Sequence, residues 1–463
     1  MESAALFNQV KKAAFPLPVY QGKLPQLVEE EAGTLCSPRS INHLQNILKG
    51  RYAPALAEFI TFLSINEKKI PSGYLPELFN VSLKNESLWH LLKPVIGQKG
   101  QWLLQQIPEW AKLVDEVDAL NWETGTLVEK EKVLQYWRKH EPKKAITALE
   151  SIWSQEEVKN KVIFLKTLSQ YISINDESFL EERLTDKQKI VRLAAASLLS
   201  RIRNSALLNR LFTELLNYLE IREDTIEFEL PEELPNLTKD GIYPIPQKGV
   251  RGGMKAAWLR QIIAKLPPHK WSELLDKDAE ECLCFFEKGK WADQVFPALV
   301  EAALWHKNED WQMALLSHLH QKGNQFDIPA LLLKKNIASL SSTVFDELST
   351  TFLENTPRII EDKSIFYLLL IESHHPWSDK LSLHVVRNFQ GWMQNTTDNY
   401  LSTSHYRQLF EAAAYATQPH LLEKLKTGWP TRSTVWYYWE DAIEKLVRTI
   451  AFRTEMRKEL ENK

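Results

Sequence analysis

Glycine is scarce, with 15 in 463 residues, under half the share of an average protein, about 7%. A sandwich or barrel needs a turn glycine roughly every 8–12 residues, so the shortage argues against an all-β fold. Cysteine is scarcer still: Cys36, Cys282 and Cys284 are the only three. One C-x-C pair and a distant single thiol make neither a disulfide framework nor a four-ligand zinc site. Charge of one sign is missing too. With 57 basic and 60 acidic residues the formal charge is −3, so no chain-wide field favours nucleic acid or an anionic membrane. The most apolar run, residues 365–371, falls far short of the roughly 20 residues that span a bilayer. The amino terminus, MESAALFNQVKKAAFPLP, lacks the apolar core of a secretory signal. A reducing cytoplasm, with no membrane partner, is the expected setting.

What remains is 44% hydrophobic and 25% charged, ample for a buried core yet too long for one compact domain. The clearest pattern lies between His140 and Leu219. Ile146, Leu149, Ile152 and Trp153 form one stripe, and Phe164, Leu168 and Tyr171 another. Val191, Ala194, Ala195, Leu198 and Ile202 follow, then Leu208, Leu211, Phe212, Leu215 and Leu219. Such offsets lie on one face of a helix. Asn175, Asp176 and Asp186 stand where caps belong. Helices that cannot bury their faces alone must stack on neighbours, as in a solenoid. The stretch around Asp186, Arg192 and Ala194-Ala195-Ala196 resembles the second half of a HEAT repeat. There, small alanines allow close approach, and Asp186 with Arg192 is expected to form a structural ladder between repeats. The predicted fold class is therefore all-α, a HEAT-like α-solenoid of stacked helix pairs with one irregular, partly extended insertion. Its parts are an amino-terminal helical region (1–130), HEAT-like repeats (131–221), a non-helical insertion (222–253), and further helical repeats (254–463). The last part includes helical signals at 291–306, 311–319, 381–392 and 406–416. It closes with an amphipathic helix marked by Trp436, Trp439, Ile443, Leu446, Val447 and Ile450, with Thr431 or Ser433 as its N-cap.

The insertion is where a partner site is expected. From Glu220 to Asp240 there are eight acidic and two basic residues, and from Gly241 to Lys270 six basic and no acidic ones. Ile226, Phe228 and Leu230 alternate with acids, which predicts one short strand. The loop at 248–255, KGVRGGMK, opens a helix whose backbone N–H groups could hold a phosphate or carboxylate. Arg251, Gly252, Gly253, Lys255, Trp258 and Arg260 are the candidate partner- or anion-binding residues. The rival reading is a chain reversal neutralised by the adjacent acids. No Lys-Ser/Thr pair follows the glycines, so it is not a P-loop.

Catalytic patterns are absent: no G-x-S-x-G, no H-E-x-x-H, and no deaminase zinc signature. His318 with His320, and His374 with His375, lack matched further ligands and read as surface or loop histidines. Cys282 and Cys284 point to different helix faces. Most of the 16 tryptophans sit in apolar stripes, so core packing explains them better than base stacking. No catalytic residue, cofactor or metal is expected.

Three stretches carry a family resemblance: NDESFLEERLTDKQKIVRLAAASLLSRIRNSALLNR (175–210), KDGI (239–242) and RGGMKAAWLRQIIAKLPPHKW (251–271). In this order they are similar to an uncharacterised bacterial helical-repeat family, DUF5691. The resemblance spans residues 137–271 and, loosely, Phe452-Arg453 and Met456-Arg457 in the closing helix. Genes of that family tend to lie beside MoxR-type AAA ATPases, von Willebrand factor A-domain proteins and a SWIM zinc-finger protein. The resemblance therefore implies a non-catalytic scaffold or adaptor with an AAA ATPase or von Willebrand A-domain protein as partner. The alternative is a nucleic-acid-binding HEAT-like protein, for which the basic residues between Arg183 and Arg210 are the only local support.

Overall fold

The computed structural model describes residues 36–461 apart from 108, 114–121, 244, 246–251, 324, 357–358 and 397–402. Among these are 23 α-helices and one two-stranded sheet, so the fold is all-α. The described residues fall into two compact units: residues 36–42 with 57–113, and residues 43–56 with 122–461.

Helix α1 (Pro38–Leu48) contributes residues to both units. The smaller unit is built mainly from α2 (Leu56–Ile65), α3 (Leu75–Ser82), α4 (Glu86–Leu92) and α5 (Gly97–Gln106). The Asn85 side chain starts α4 by accepting from Leu88 N, an acceptor for one of the orphan donors of a helix start. Phe79 is fully buried and meets Trp89 and Trp110 edge to face. The Trp110 indole donates to Asn80 Oδ1 at 2.9 Å, so burying it leaves no orphan donor.

The larger unit opens with α6 (Leu127–His140), α7 (Pro142–Ile152), α8 (Val158–Leu168), α9 (Glu177–Arg183), α10 (Lys189–Leu199) and α11 (Ala206–Leu216). Thr126 and Glu129 form a reciprocal capping box at the start of α6, which satisfies two orphan donors at once. Val191, Ala195 and Leu198 are buried on α10, and Leu208, Leu211 and Leu215 on α11, as their spacing predicts. Two details differ from the sequence expectation. Helix α11 ends at Leu216, and Leu219 begins β1 (Leu219–Arg222), which pairs antiparallel with β2 (Thr225–Phe228). One strand was expected and a hairpin is present, because Leu219 and Ile221 follow period two once the helix stops. Ile226 and Phe228 are its buried face.

Asp186 and Arg192 also differ. Arg192 Nη1 donates to the carbonyls of Asp186 and Lys187 at 2.8 and 3.1 Å, and Nη2 to Tyr243 Oη at 3.3 Å. The Asp186 carboxylate accepts instead from Gln188 N and lies 3.8 Å from Lys161 Nζ. Arg192 thus fastens a turn, and the two side chains form no ion pair with each other. The deep ion pair lies one turn earlier: Arg138 on α6 grips Asp176 through two 2.8 Å bonds, both side chains almost wholly out of water.

The remaining helices are α12 (Gly253–Lys265), α13 (His269–Leu275), α14 (Ala279–Glu287), α15 (Ala292–Trp305), α16 (Glu309–Lys322), α17 (Ala330–Ala338), α18 (Ser342–Asn355), α19 (Ile365–Glu372), α20 (Asp379–Asn395), α21 (Tyr406–Ala416), α22 (Leu422–Leu425) and α23 (Trp436–Glu461). Asp278, Asn308, Ser341, Ser364 and Ser378 each cap the helix they precede. Packing follows an alternating rule. α14, α16, α18 and α20 contact in succession, and α12, α15, α17, α19, α21 and α23 form the other succession. Consecutive helices such as α15 with α16 and α18 with α19 join the two rows. Residues 43–56 pack on the last helix, with the rings of Tyr52 and Phe452 stacked at 3.9 Å. At its start Ser433 Oγ accepts from Val435 N.

Candidate functional site

A cavity of about 390 Å³ lies within the larger unit, between α10, α12 and α15. Its floor is set by small residues: Gly253, Ala257 and Ala264 on α12, and Gly241 in the preceding turn. Gly241 has φ +75°, and a Cβ there would come within 2.6 Å of Ala196 Cβ, so both backbone angle and space require glycine. Gln261 holds the same turn against α12. Its amide accepts from Tyr243 N at 3.0 Å and donates to Tyr243 O at 2.6 Å.

The polar lining comes from Ser197, Arg260, Lys265 and Glu301, beside the indole of Trp305. Trp305 is fixed on its other side: its N–H donates to Ser200 Oγ at 3.3 Å, and the Arg201 guanidinium sits 3.9 Å from the ring centroid. Such stacking desolvates the cation while the ring quadrupole attracts it. Burial lowers the pKa of Lys265 below the usual lysine range, against the nearby Glu301 carboxylate, which acts to raise it. Among the described residues neither Arg260 nor Lys265 makes an ion pair or side-chain hydrogen bond. The cavity therefore presents two basic side chains, of which Lys265 feels the Glu301 carboxylate.

The six predicted binding residues do not converge. Arg251 lies outside the described residues. Gly252, at φ +105°, and Gly253, at φ +66°, form the start of α12, and its N-cap Gly252 has no side chain to offer. Gly253 and Arg260 line the cavity. Lys255 turns away to the acidic segment, donating to Leu230 O and Glu232. Trp258 is fully buried, its ring edge to face with Tyr218, so it is a core residue and presents nothing to a partner. Lys265, Glu301 and Trp305 were not singled out. Lys265 carries a faint local signal, one further turn along the face of Arg260, Gln261 and Ala264. Glu301 and Trp305 belong to a helix some 40 residues on and carry none.

Four of the eight acids between Glu220 and Asp240 form ion pairs, three of them with cations outside that stretch. Asp240 pairs with Arg210 at 2.6 Å, Asp224 with Lys288 at 2.6 Å, and Glu220 with Arg222 at 2.9 Å. The Trp291 indole donates to Phe228 O. None of these contacts reaches Arg260 or Lys265.

Among the described residues no three His, Cys, Asp or Glu side chains converge as a metal site would require, and no helix is long and apolar enough to cross a membrane. His318 and His320 are half-buried on α16 rather than surface groups: His318 faces Glu287 at 3.5 Å and His320 stacks on Phe352 at 3.9 Å. His375 bonds Leu340 O at 2.8 Å, near the end of α17. Cys282 is buried and Cys284 exposed, on the different faces that their spacing predicts. Trp258, Trp271, Trp311, Trp377 and Trp439 are among the largest fully buried side chains.

A model of a family of unknown function, DUF5691, matches residues 1–460. The chain belongs to that family. The match runs well beyond residues 137–271, where the resemblance was first visible, into both ends of the chain. No curated protein and no solved structure matches it.

Proposed function

We propose that this member of DUF5691 is a non-catalytic cytoplasmic adaptor, an α-solenoid that binds protein partners in a bacterial ATPase-driven assembly. The observation that carries the reading is the alternating succession of α14, α16, α18 and α20 against α15, α17, α19, α21 and α23. Stacks of this kind contact only near neighbours and offer runs of helix faces to a partner. The resemblance adds a MoxR-type AAA ATPase or a von Willebrand A-domain protein as the expected partner. A net charge of −3 weighs against a nucleic-acid role, which needs clustered unpaired cations over several phosphates. The test is an affinity pull-down of the tagged full chain from its native host with mass spectrometry, repeated with purified ATPase and nucleotide. Stoichiometric recovery of the ATPase or the von Willebrand protein supports the adaptor. Failure to comigrate with either under both conditions, or a salt-sensitive gel shift with duplex DNA, overturns it.

A further inference from the structure

Arg260 and Lys265 line the cavity beside α12 and make no ion pair or side-chain hydrogen bond among the described residues, with the Glu301 carboxylate acting on Lys265 from within the same lining. We propose that this cavity docks an extended acidic segment of a partner protein, with carboxylates two residues apart meeting Arg260 and Lys265. The proposal rests on the adaptor reading and gives its partner a chemistry.

Geometry supports the match. A helix rises 1.5 Å and turns about 100° per residue, so Arg260 and Lys265 stand about 7.5 Å apart along α12 and about 140° apart around it, and both line the cavity. Side chains two apart on an extended strand are separated by about 6.6 Å. From Gly253 to Lys265 the lining covers about 18 Å of axis, the length of about five extended residues. At one end the start of α12, with Gly252 as its N-cap, adds the positive end of a helix dipole. Among the described residues a Cβ on Gly253 would meet nothing within 4 Å. Trp305 is 37% exposed and gives the methylenes of a glutamate an apolar wall.

Charge supports it too. Asp224, Glu220, Glu232 and Asp240 of the nearest acidic run are paired with Lys288, Arg222, Lys255 and Arg210, so none of these four competes with an outside carboxylate. A desolvated lysine and an unpaired arginine gain most from charge-assisted bonds. Glu301 is the one acidic side chain in the lining and opposes an anion. Removing it should therefore strengthen binding.

The probe is a fluorescein-labelled peptide of alternating Glu and Ser, titrated with the full-length protein and followed by anisotropy; alternating Gln and Ser is the control. The Glu peptide should bind and the Gln peptide should not. Arg260→Gln and Lys265→Met should each weaken binding about tenfold or more, one charge-assisted contact apiece, while Glu301→Gln tightens it severalfold. Melting curves check that each variant is folded, and Ala257→Phe, which fills the cavity without changing charge, should also abolish binding. Equal binding of the Gln peptide, indifference to all these variants, or displacement by ATP with the same variant dependence would overturn the proposal. Pull-downs with Arg260→Gln separate the two readings. A partner retained while peptide binding is lost keeps the adaptor and overturns the groove. Peptide binding without any captured partner supports the groove and counts against the adaptor.

Discussion

Asp176 shows how much one side chain can carry. It accepts both guanidinium bonds from Arg138 and the backbone N–H of Ser173 at 2.8 Å, and Arg138 also donates to the Tyr171 carbonyl. Removing one partner of a buried pair strands the other charge, which costs about 3–5 kcal/mol. Asp176→Ala should lower the urea-unfolding free energy by that amount. Arg138→Met added to it should recover part of the loss, and purely additive losses would show that the pair is not the cause. The thiols give a second test at this scale. Burial pushes Cys36 and Cys282 up to about 11, whereas Cys284 is exposed. Since the thiolate is the nucleophile, one thiol per chain should react with an aromatic disulfide at neutral pH, and Cys284→Ser should remove it. Asp176 is recognisable in the sequence as a capping residue and does complete a box with Ser173. Its bond to Arg138 was hidden, because a partner 38 residues away leaves no local trace.

Elements were legible wherever the apolar period was long and the neighbours were local. The stripe through Val191, Ala195 and Leu198 names the buried face of α10, and it fixes a prediction. Ala195 is completely buried, so Ala195→Glu places an unpaired carboxylate in a close helix contact. A loss above about 4 kcal/mol is expected, seen as a collapsed melting transition; unchanged melting would mean the face is misassigned. Gly241 makes a milder case: an alanine there meets Ala196 at 2.6 Å and must hold φ +75°. Gly241→Ala should cost about 1–3 kcal/mol and should loosen the turn that Gln261 clasps. The short elements resisted reading. Hairpin β1–β2 is four residues a side, and its first strand continues the apolar spacing of α11 for one step. Trp258 was misjudged for a related reason. A tryptophan beside a basic, glycine-rich loop suits an interface as well as a core, and only its complete burial, with the ring of Tyr218 against it, decides between them.

For the whole molecule the joins are long-range, and the sequence marks them least. Nothing in composition tells that residues 43–56 pack with the larger unit or that Tyr52 stacks on Phe452. The histidines show the same dependence on distant neighbours. His306 bonds Lys265 O at the end of α12, and His384 bonds Thr356 O at the end of α18, so imidazoles satisfy carbonyls that a helix terminus leaves open. Burial is the leading cause holding His269, His306, His318, His320 and His384 below the ordinary 6.5, outweighing Glu273 beside His269 and Glu287 beside His318. The consequence for stability has a definite sign. Unfolded imidazoles titrate near 6.5 and the folded ones lower, so below 6.5 the unfolded chain binds more protons and folding weakens as pH falls. Above 6.5 both states are neutral at these sites and the contribution is constant. Melting temperature should thus be flat from pH 8 to 7 and fall between pH 6.5 and 5, before carboxylates protonate. His306→Gln, which keeps a donor to Lys265 O and cannot titrate, should flatten part of that slope. A slope unchanged by His306→Gln would place the acid sensitivity in the other four rings, and a flat profile down to pH 5 would show that burial does not hold these imidazoles neutral.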